Sequence, residues 1–312
     1  MNECPSVSII MPCYNSGSRL YQSVGSIAAQ SFKNYELILI DDGSDNDTQK
    51  IIGELAASYS FLRTYRQENL GAAAARNKGI KEAKGQYIAF LDSDDTWDPK
   101  FLEMMVDALE RHPEAVLAYC GWQNLGLEGG RGKPFVPPDY ETQDKEAILL
   151  ENCRWPIHAA LTRAEVVRNI GGFDESLSSC MDYDLWLRLA PFSKIIRVPQ
   201  VLAYYHHHEG EHITNNRLRI AQNHYRVQRK YIDTHPDVLK RLGKRRVREL
   251  TLGELRRRAF HALWHGDPQT AQSLFRTLLL SGYFSIQDLK YLLAALLPAS
   301  WFIPLVKRRT GV

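Results

Sequence analysis

Short apolar runs alternate with segments of helical periodicity over the first hundred residues. The apolar runs predict strands at residues 7–11, 36–40, 62–66 and 87–91. Apolar side chains spaced three or four residues apart predict helices between them, at 17–30, 47–58 and 71–83. We expect the first strand to stop at Pro12. Strands and helices in this order are typical of βαβ units and predict a parallel sheet in an α/β fold.

The pattern changes after this block. A helix at 99–110 and a strand at 115–121 are followed by a segment at 124–142 that is rich in glycine and proline. This segment is either a mobile lid or a surface loop. Helices at 164–170 and 182–189 and strands at 194–198 and 202–206 follow, and helices dominate from 216 onward. We therefore predict a first domain at residues 1–215 and a helical C-terminal extension at 216–312.

Carboxylates follow two of the predicted strands. Asp42 comes after the second strand, and Asp92 and Asp94 come after the fourth. The carboxyl ends of parallel strands meet at the edge where open α/β sheets bind ligands. Asp92 and Asp94 alternate in an extended segment, so both can face one divalent cation. The pattern predicts metal and phosphate chemistry, with capping of the next helix as the alternative.

Other residues near these strand ends suit a nucleotide. Asp42 can accept a hydrogen bond from a base N–H, and Tyr14, after the first strand, offers a ring for base stacking. Arg76 on the third helix can meet a phosphate or hold an aspartate of the cluster, and a purely structural salt bridge is the alternative. These residues predict a nucleotide-sugar site.

A candidate general base occurs later in the chain. Asp182 begins a predicted helix in an apolar and aromatic context, which raises the pKa of a carboxyl and suits proton acceptance from a sugar hydroxyl. Asp184 is the alternative base, and capping is the alternative role for both. Histidines at 206, 207, 208 and 212 follow, and His206 and His208 share a strand face from which either can approach a metal or a diphosphate. The alternatives are a zinc site formed by these histidines alone and a solvated polar edge.

Taken in order, these motifs strongly resemble glycosyltransferase family 2 over about residues 6–215. The residues that carry the resemblance are Val7-Ser8-Ile9-Ile10-Met11-Pro12-Cys13-Tyr14-Asn15, Ile40-Asp41-Asp42-Gly43-Ser44, Glu68-Asn69-Leu70-Gly71, Ala75-Arg76-Asn77, Phe90-Leu91-Asp92-Ser93-Asp94-Asp95, Gly171-Gly172-Phe173-Asp174 and Asp182 to Arg188. The resemblance implies a GT-A fold, in which helices flank a Rossmann-like and mostly parallel central sheet. It also implies a nucleoside-diphosphate sugar donor, most often a UDP-sugar, and an inverting single displacement assisted by Mn²⁺ or Mg²⁺.

The resemblance assigns roles to single residues. It implies that Asp42 reads the base, that Tyr14 packs against it, and that Asp182 is the catalytic base. Asp92 would contact the ribose or the metal, and Asp94 and His208 would bind the metal. The remaining positions of its donor-binding set are Pro12, Arg76 and Ser93.

Two positions depart from the family pattern. Met181 stands where the family has the glutamate of a Glu-Asp pair, and His206 stands at a usual arginine position. We expect an active enzyme because the metal ligands are present. The alternative is an inactive glycosyltransferase-like scaffold in carbohydrate assembly. A sugar nucleotidyltransferase or a nicotinamide-dependent enzyme is disfavoured, because no glycine-rich phosphate loop follows the first strand.

Composition restricts the partners and the compartment. The 312 residues carry a formal net charge of +3, too small to predict a nucleic-acid partner. The five cysteines are scattered and the start has no signal-like stretch, which favours the cytoplasm. No apolar run is long enough to predict a membrane span.

Basic residues concentrate after residue 217, and residues 289–309 combine apolar, aromatic and basic side chains. This predicts peripheral contact with the inner face of the plasma membrane and suits a glycan or lipid-linked acceptor. The family resemblance alone implies a role in cell-surface polysaccharide synthesis. Packing within the protein or against a second subunit is the alternative for this tail, and a solvated helix face is the alternative for the basic segments.

Overall fold

A computed structural model describes residues 4–127, 129–208 and 216–310, the last six of these by their backbone alone. The chain divides into two units, the first comprising Met1–Lys145 with Cys153–Gly210 and the second Glu146–Asn152 with Glu211–Val312. The predicted boundary between 215 and 216 falls at the edge of a range outside the described residues and stays a prediction. His212 lies in that range.

The first unit contains an eight-stranded mixed sheet. In chain order its strands are β1 (Val7–Cys13), β2 (Tyr35–Asp41), β3 (Leu62–Arg66), β4 (Tyr87–Phe90), β5 (Thr96–Trp97), β6 (Ala115–Leu125), β7 (Ala160–Arg163) and β8 (Lys194–His206). The strands lie side by side in the order β3-β2-β1-β4-β7-β6-β8-β5. The first four are mutually parallel, β7 is antiparallel to both neighbours, β8 is parallel to β6, and β5 is antiparallel to β8. The predicted α/β class with a largely parallel sheet is confirmed.

Helices connect these strands. They are α1 (Arg19–Ala28), α2 (Asn46–Ser58), α3 (Ala72–Glu82), α4 (Phe101–Glu110), α5 (Lys145–Glu151), α6 (Ala164–Asn169) and α7 (Met181–Leu189). The apolar positions Leu20 and Val24, which predicted α1, are buried, and so are Leu102 and Leu109 of α4. Central strands β1 and β2 are buried along their whole length, which explains their continuous apolar sequence.

The prediction that the first strand stops at Pro12 is wrong. Pro12 pairs with Ile40 in the β1–β2 ladder, and the strand ends one residue later. Leu91 N donates to Ile10 O on the β4 side, and the alternation of a parallel ladder directs Pro12 to that same side. Since β4 ends at Phe90, the missing N–H of Pro12 leaves no ladder hydrogen bond unmade.

Strand β8 is also longer than predicted. The two strands expected at 194–198 and 202–206 form one strand with register shifts against β6 near Cys120 and Gly121. The very short β5 pairs Thr96 with Tyr204 and Trp97 with Ala203. This pairing holds the segment after β4 beside the end of β8.

The second unit is helical. Its helices are the part of α5 after Lys145, then α8 (Arg217–Thr234), α9 (Val238–Leu242), α10 (Lys244–Trp264), α11 (Pro268–Ser281), α12 (Leu289–Ala294) and α13 (Ala299–Thr310). Gly243, with φ of 79°, separates α9 from α10. A core of aliphatic and aromatic side chains includes Leu255, Leu274, Phe275, Leu292 and Phe302.

The C-terminal tail has two faces. Leu292, Ala295 and Phe302 are buried in the helical core. Leu293, Leu296 and Trp301 are exposed, and Trp301 is 67% exposed. Within the described residues, no helix is both long and apolar enough to cross a membrane.

Candidate active site

The acidic segment after β4 and the end of β8 form the centre of the site. The β5–β8 pairing puts residues 92–97 alongside 203–208. Asp94 Oδ2 lies 3.0 Å from His208 Nε2, and both side chains are partly exposed. Residues 114 positions apart in sequence thus offer an oxygen and a nitrogen to one point at the protein surface.

Asp92 contacts a buried arginine. Arg76 Nη2 on α3 donates to Asp92 Oδ1 at 2.5 Å, and Arg76 is only 5% exposed. Arg76 Nη1 donates to the Met181 sulfur at 3.0 Å, and its guanidinium lies 5.5 Å from the centre of the Phe173 ring. The buried Nε has no hydrogen-bond partner among the described residues. At the position where the family has a glutamate, this arginine therefore meets a weak thioether acceptor.

Ser93 connects the acidic segment to the end of β1. Its hydroxyl lies 2.5 Å from the Ser16 hydroxyl, and both side chains are buried. Ser93 thus fixes the backbone between the two aspartates, which point away from this contact to Arg76 and His208.

Asp95 points into the protein. It is fully buried, accepts a hydrogen bond from His206 N at 2.9 Å, and its other oxygen lies 3.3 Å from His158 Nδ1. Burial, reinforced by the charges of Asp92 and Asp94, raises the pKa of Asp95 well above its usual range. Burial also lowers the pKa of His158 to about 4. Asp95 and His158 thus form a buried pair that stabilises the acidic segment from beneath.

His206 and His208 have different partners. His206 Nε2 lies 2.8 Å from Thr96 Oγ1 on β5, whereas His208 contacts Asp94. Of the two histidines that were candidates for the metal or diphosphate, His208 faces the exposed acid. His206 instead joins β8 to β5.

Asp42 organises the loop ahead of α3. Its carboxylate, 3% exposed, accepts hydrogen bonds from Gln67 Nε2, Leu70 N and Gly71 N at 2.8–2.9 Å. A carboxylate has about four lone-pair sites, so about one remains for a base N–H. Tyr14, just beyond β1, is 53% exposed, while Pro12 is buried within β1.

Asp182 lies in the first turn of α7. Its Oδ1 accepts a hydrogen bond from Tyr183 N at 2.8 Å. Burial raises the pKa of Asp182, the nearby charge of Asp92 adds to this, and Arg76 opposes it. Cys180, the residue before α7, has a left-handed backbone with φ of 59°. A non-glycine residue in that region indicates local strain, here directly before the candidate base.

Asp184 has a structural partner. It is 2% exposed, and Arg188 Nη2 lies 2.7 Å from its Oδ2. Arg188 also donates to the carbonyls of Ile170 and Gly172, and Asn77 on α3 exchanges hydrogen bonds with Phe173. Asp184 therefore stabilises the turn at 171–174, which leaves Asp182 as the better candidate base.

The donor set suits a divalent cation that shares its coordination with a substrate. Among the described residues, no group of three or more His, Cys, Asp and Glu side chains is arranged to hold a metal. Asp94 and His208 supply two donors, with Asp92 held nearby by Arg76. Mg²⁺ is commonly bound by one or two carboxylates plus substrate phosphates and water rather than by a complete protein cage. The residues present fit such a site.

Comparison with known proteins identifies the family. A family model described as glycosyl transferase family 2 matches residues 8–170, slightly more than half of the chain. The chain belongs to glycosyl transferase family 2. The match covers β1 to α6 and includes the acidic segment.

Relatives within the family are of similar or greater length. An uncharacterized glycosyltransferase of Rickettsia typhi is 33% identical over 220 residues, covering 69% of this chain and 67% of that protein. Chondroitin synthase of Escherichia coli is 29% identical over 232 residues, which cover 73% of this chain but only 32% of that protein.

Solved structures share the GT-A fold. S. aureus TarS 1–349 in complex with UDP-GlcNAc has a TM-score of 0.68 at 18% identity, with 98% of this chain and 92% of that chain covered. The mannosyltransferase PcManGT of Pyrobaculum calidifontis, in complex with GDP-Man and Mn²⁺, has a TM-score of 0.60 at 18% identity, with 99% and 87% covered. The predicted family and fold are confirmed.

Several residues of the site were not predicted. Ser16, Gln67 and His158 contact Ser93, Asp42 and Asp95 respectively. Gln67 and Ser16 lie next to motifs that were noted, so proximity in sequence is a usable signal. His158 lies in a single 3₁₀ turn with no pattern around it, and no sequence signal points to it.

Proposed function

We propose that this family 2 protein is an inverting glycosyltransferase that moves a sugar from a nucleoside-diphosphate donor to a hydroxyl of a glycan or lipid-linked acceptor. The observation that supports this most directly is the convergence of Asp92, Asp94, His208, Arg76 and Asp182 at the carboxyl edge of the sheet. Nucleotide-sugar complexes of two proteins with the same fold, one with UDP-GlcNAc and one with GDP-Man, support a donor of this class. A UDP-sugar is the first candidate.

The proposed donor site uses the residues at the ends of β1, β2 and β4. Asp42 accepts a hydrogen bond from the base, Tyr14 packs against it, and Asp92 and Ser93 position the ribose and diphosphate. Pro12, near the end of β1, contributes to the shape of the same donor site. Arg76 supplies positive charge from below, because its guanidinium forms an ion pair with only one carboxylate among the described residues.

Asp94 and His208, with Asp92, would hold Mn²⁺ or Mg²⁺. When bound, such an ion supplies positive charge that stabilises the departing diphosphate. The chain's own contribution is to fix the two metal donors 3.0 Å apart through the β5–β8 pairing.

Asp182 acts as the general base. Its ionised carboxylate accepts the proton of the acceptor hydroxyl as that oxygen attacks the anomeric carbon. A single in-line displacement then inverts the configuration at that carbon. The raised pKa of Asp182 makes its carboxylate a stronger base than an exposed aspartate.

Release of free nucleoside diphosphate from UDP-, GDP- and dTDP-sugars, with and without Mn²⁺, tests this function. Slow metal-dependent hydrolysis of one donor, accelerated by an acceptor glycan, is the expected result. A folded protein that neither binds nor cleaves any of the three donors would favour the inactive scaffold, which only Met181 supports. The anomeric configuration of an isolated product would test inversion.

The exposed residues Leu293, Leu296 and Trp301 support peripheral membrane contact by the tail as part of this proposal. Such contact at the inner face of the plasma membrane suits a role in cell-surface polysaccharide synthesis. Loss of vesicle binding in Trp301→Ser would agree with the tail contact, and full retention would contradict it.

A further inference from the structure

The helical unit contains a groove that the glycosyltransferase site does not use. A cavity of about 920 Å³ lies between α10 and the connection that follows α11. The α10 side carries four basic side chains and one acidic side chain, namely Lys244, Arg245, Arg248, Arg256 and Glu249. The connection contributes residues 282–285 and Gln287.

The groove has an excess of positive charge. Arg256 is neutralised by a two-point contact with Asp288 at 2.7 and 2.8 Å, and Arg245 lies 3.2 Å from Glu249. Among the described residues, Lys244 and Arg248 have no ion pair with a carboxylate. Arg248 instead donates to the carbonyls of Ser281 and Gly282 at 3.0 Å each, which holds it against the end of α11. The groove therefore favours an anion.

Exposed apolar side chains accompany this charge. Leu280 is 89% exposed, Ile286 is 87% exposed, and Phe284, which lines the groove, is 39% exposed. Single exposed apolar residues are common, but these three lie within seven consecutive positions, at the end of α11 and in the connection that contributes to the groove. A soluble anion would leave Leu280 and Ile286 in water. A lipid surface would bind the basic groups through its headgroups and bury the apolar side chains at the same time.

We infer that this groove binds the phosphate-bearing headgroup of an anionic membrane lipid, with Leu280, Phe284 and Ile286 entering the boundary between headgroups and acyl chains. The groove is a membrane contact separate from the tail residues 289–309. It does not depend on sugar transfer, so it can be tested independently of the proposed function.

The test is co-sedimentation of the full chain with phosphatidylcholine vesicles, with and without phosphatidylglycerol. Lys244→Glu combined with Arg245→Glu changes two exposed groove residues. The control variant combines Lys50→Glu with Lys81→Glu. It changes the net charge by the same amount as the groove variant, at two exposed lysines on α2 and α3 of the first unit. Each basic residue near an anionic surface strengthens membrane binding, so the groove variant should bind such vesicles at least on the order of tenfold more weakly.

The control variant should bind like the wild type, and added salt should weaken wild-type binding. Equal losses in the groove and control variants would overturn the inference in favour of a general charge effect. Unchanged binding of the groove variant, with binding lost in Trp301→Ser, would overturn it in favour of the tail alone.

A second pair of measurements separates a lipid headgroup from a soluble anion. Ile286→Ser should weaken vesicle binding and leave the binding of inorganic polyphosphate unchanged. Wild-type binding to polyphosphate without any binding to anionic vesicles would overturn the lipid as occupant. Donor hydrolysis without vesicles should stay at the wild-type rate in every groove variant, so a failure here is distinguishable from a failure of the proposed transferase.

Discussion

Arg76 is a buried cation with unequal partners. A short hydrogen bond joins it to Asp92, whereas its second terminal nitrogen faces the Met181 sulfur and its Nε has no partner among the described residues. A thioether is a weak acceptor and carries no charge, so it does little to neutralise a guanidinium. The absence of a glutamate at 181 therefore leaves more of the positive charge of Arg76 available to Asp92 and to the diphosphate of the proposed donor.

Met181→Glu tests this charge balance. The new carboxylate would lie next to Asp182, where a second negative charge raises the pKa of the base. A base must be ionised, so activity increases as pH rises through its pKa, and a higher pKa moves this increase to higher pH. We expect the acid limb of the pH profile of kcat/KM to shift upward in Met181→Glu.

Met181→Gln is the matched control, since it adds an acceptor for Arg76 without charge. Its acid limb should stay at the wild-type pH. Identical profiles for the Glu and Gln variants would show that the charge at 181 has no effect on the base.

Asp182→Asn should abolish the base and leave the donor site intact. General-base catalysis contributes about 10²- to 10⁴-fold, so kcat should fall by that order while donor affinity stays near that of the wild type. Single-turnover transfer rates and donor binding by calorimetry measure the two quantities. Asp184→Asn is the comparison, and it should lower the free energy of unfolding because Arg188 loses its buried partner. A larger loss of kcat in Asp184→Asn than in Asp182→Asn would reverse the assignment.

Among the elements, α3 is held close to the sheet at Gly79. A Cβ at Gly79 would lie 2.4 Å from Cγ2 of Ile10, a fully buried β1 residue. Ile10 is β-branched and has little rotamer freedom, so it cannot move away easily. This close approach places Arg76, one turn earlier on α3, beneath the acidic segment.

Gly79→Ala should therefore destabilise the protein. The gain in helix propensity is about 1 kcal/mol, and overpacking a filled core costs about 1–3 kcal/mol, so the free energy of unfolding should fall by up to about 2 kcal/mol. Gly53→Ala is a matched control in α2, where a Cβ would meet nothing within 4 Å. That variant should gain up to about 1 kcal/mol. Urea unfolding measures both, and the same sign for the two variants would contradict the packing argument.

The elements that could be predicted are those whose own sequence specifies them. β1 to β4 and α1 to α4 carry strong apolar patterns, and their bounds differ from prediction by at most two residues. β5 and β7 have two and four residues, and each exists only because a neighbouring strand pairs with it. The two residues by which β1 exceeds its predicted range have the same cause, since Pro12 is tolerated only where β4 has ended.

The site shows the same division. Acids at strand ends were visible because parallel strands bring their carboxyl ends together. The sequence could not show that His206 and His208 have different partners. Thr96 of β5 contacts His206, whereas His208 contacts Asp94. The contact of Met181 with Arg76 joins residues 105 positions apart and likewise needs the folded chain.

At the scale of the whole molecule, two units carry different kinds of surface. The first unit has acidic side chains at one edge of the sheet, with a buried arginine beneath them, and this arrangement suits a metal and a diphosphate. The second presents basic and exposed apolar side chains, which suit a lipid surface. Each unit has its own buried core, so substitutions at these surfaces need not disturb the packing within either unit.

Donor and metal should stabilise the chain together if Asp94 and His208 bind the ion beside the diphosphate. A ligand that binds only the folded state raises its stability by RT ln(1 + [L]/Kd), which is about 2.7 kcal/mol at one hundred times Kd. We expect the correct nucleotide-sugar to raise the Tm with Mn²⁺ and to raise it much less when the ion is chelated. Asp94→Asn should show the small shift under both conditions, whereas Asp144→Asn, at an exposed acid away from the acidic segment, should respond like the wild type. A donor shift that is equally large in Asp94→Asn and insensitive to chelation would remove the metal from the donor site and leave Arg76 as its principal source of positive charge.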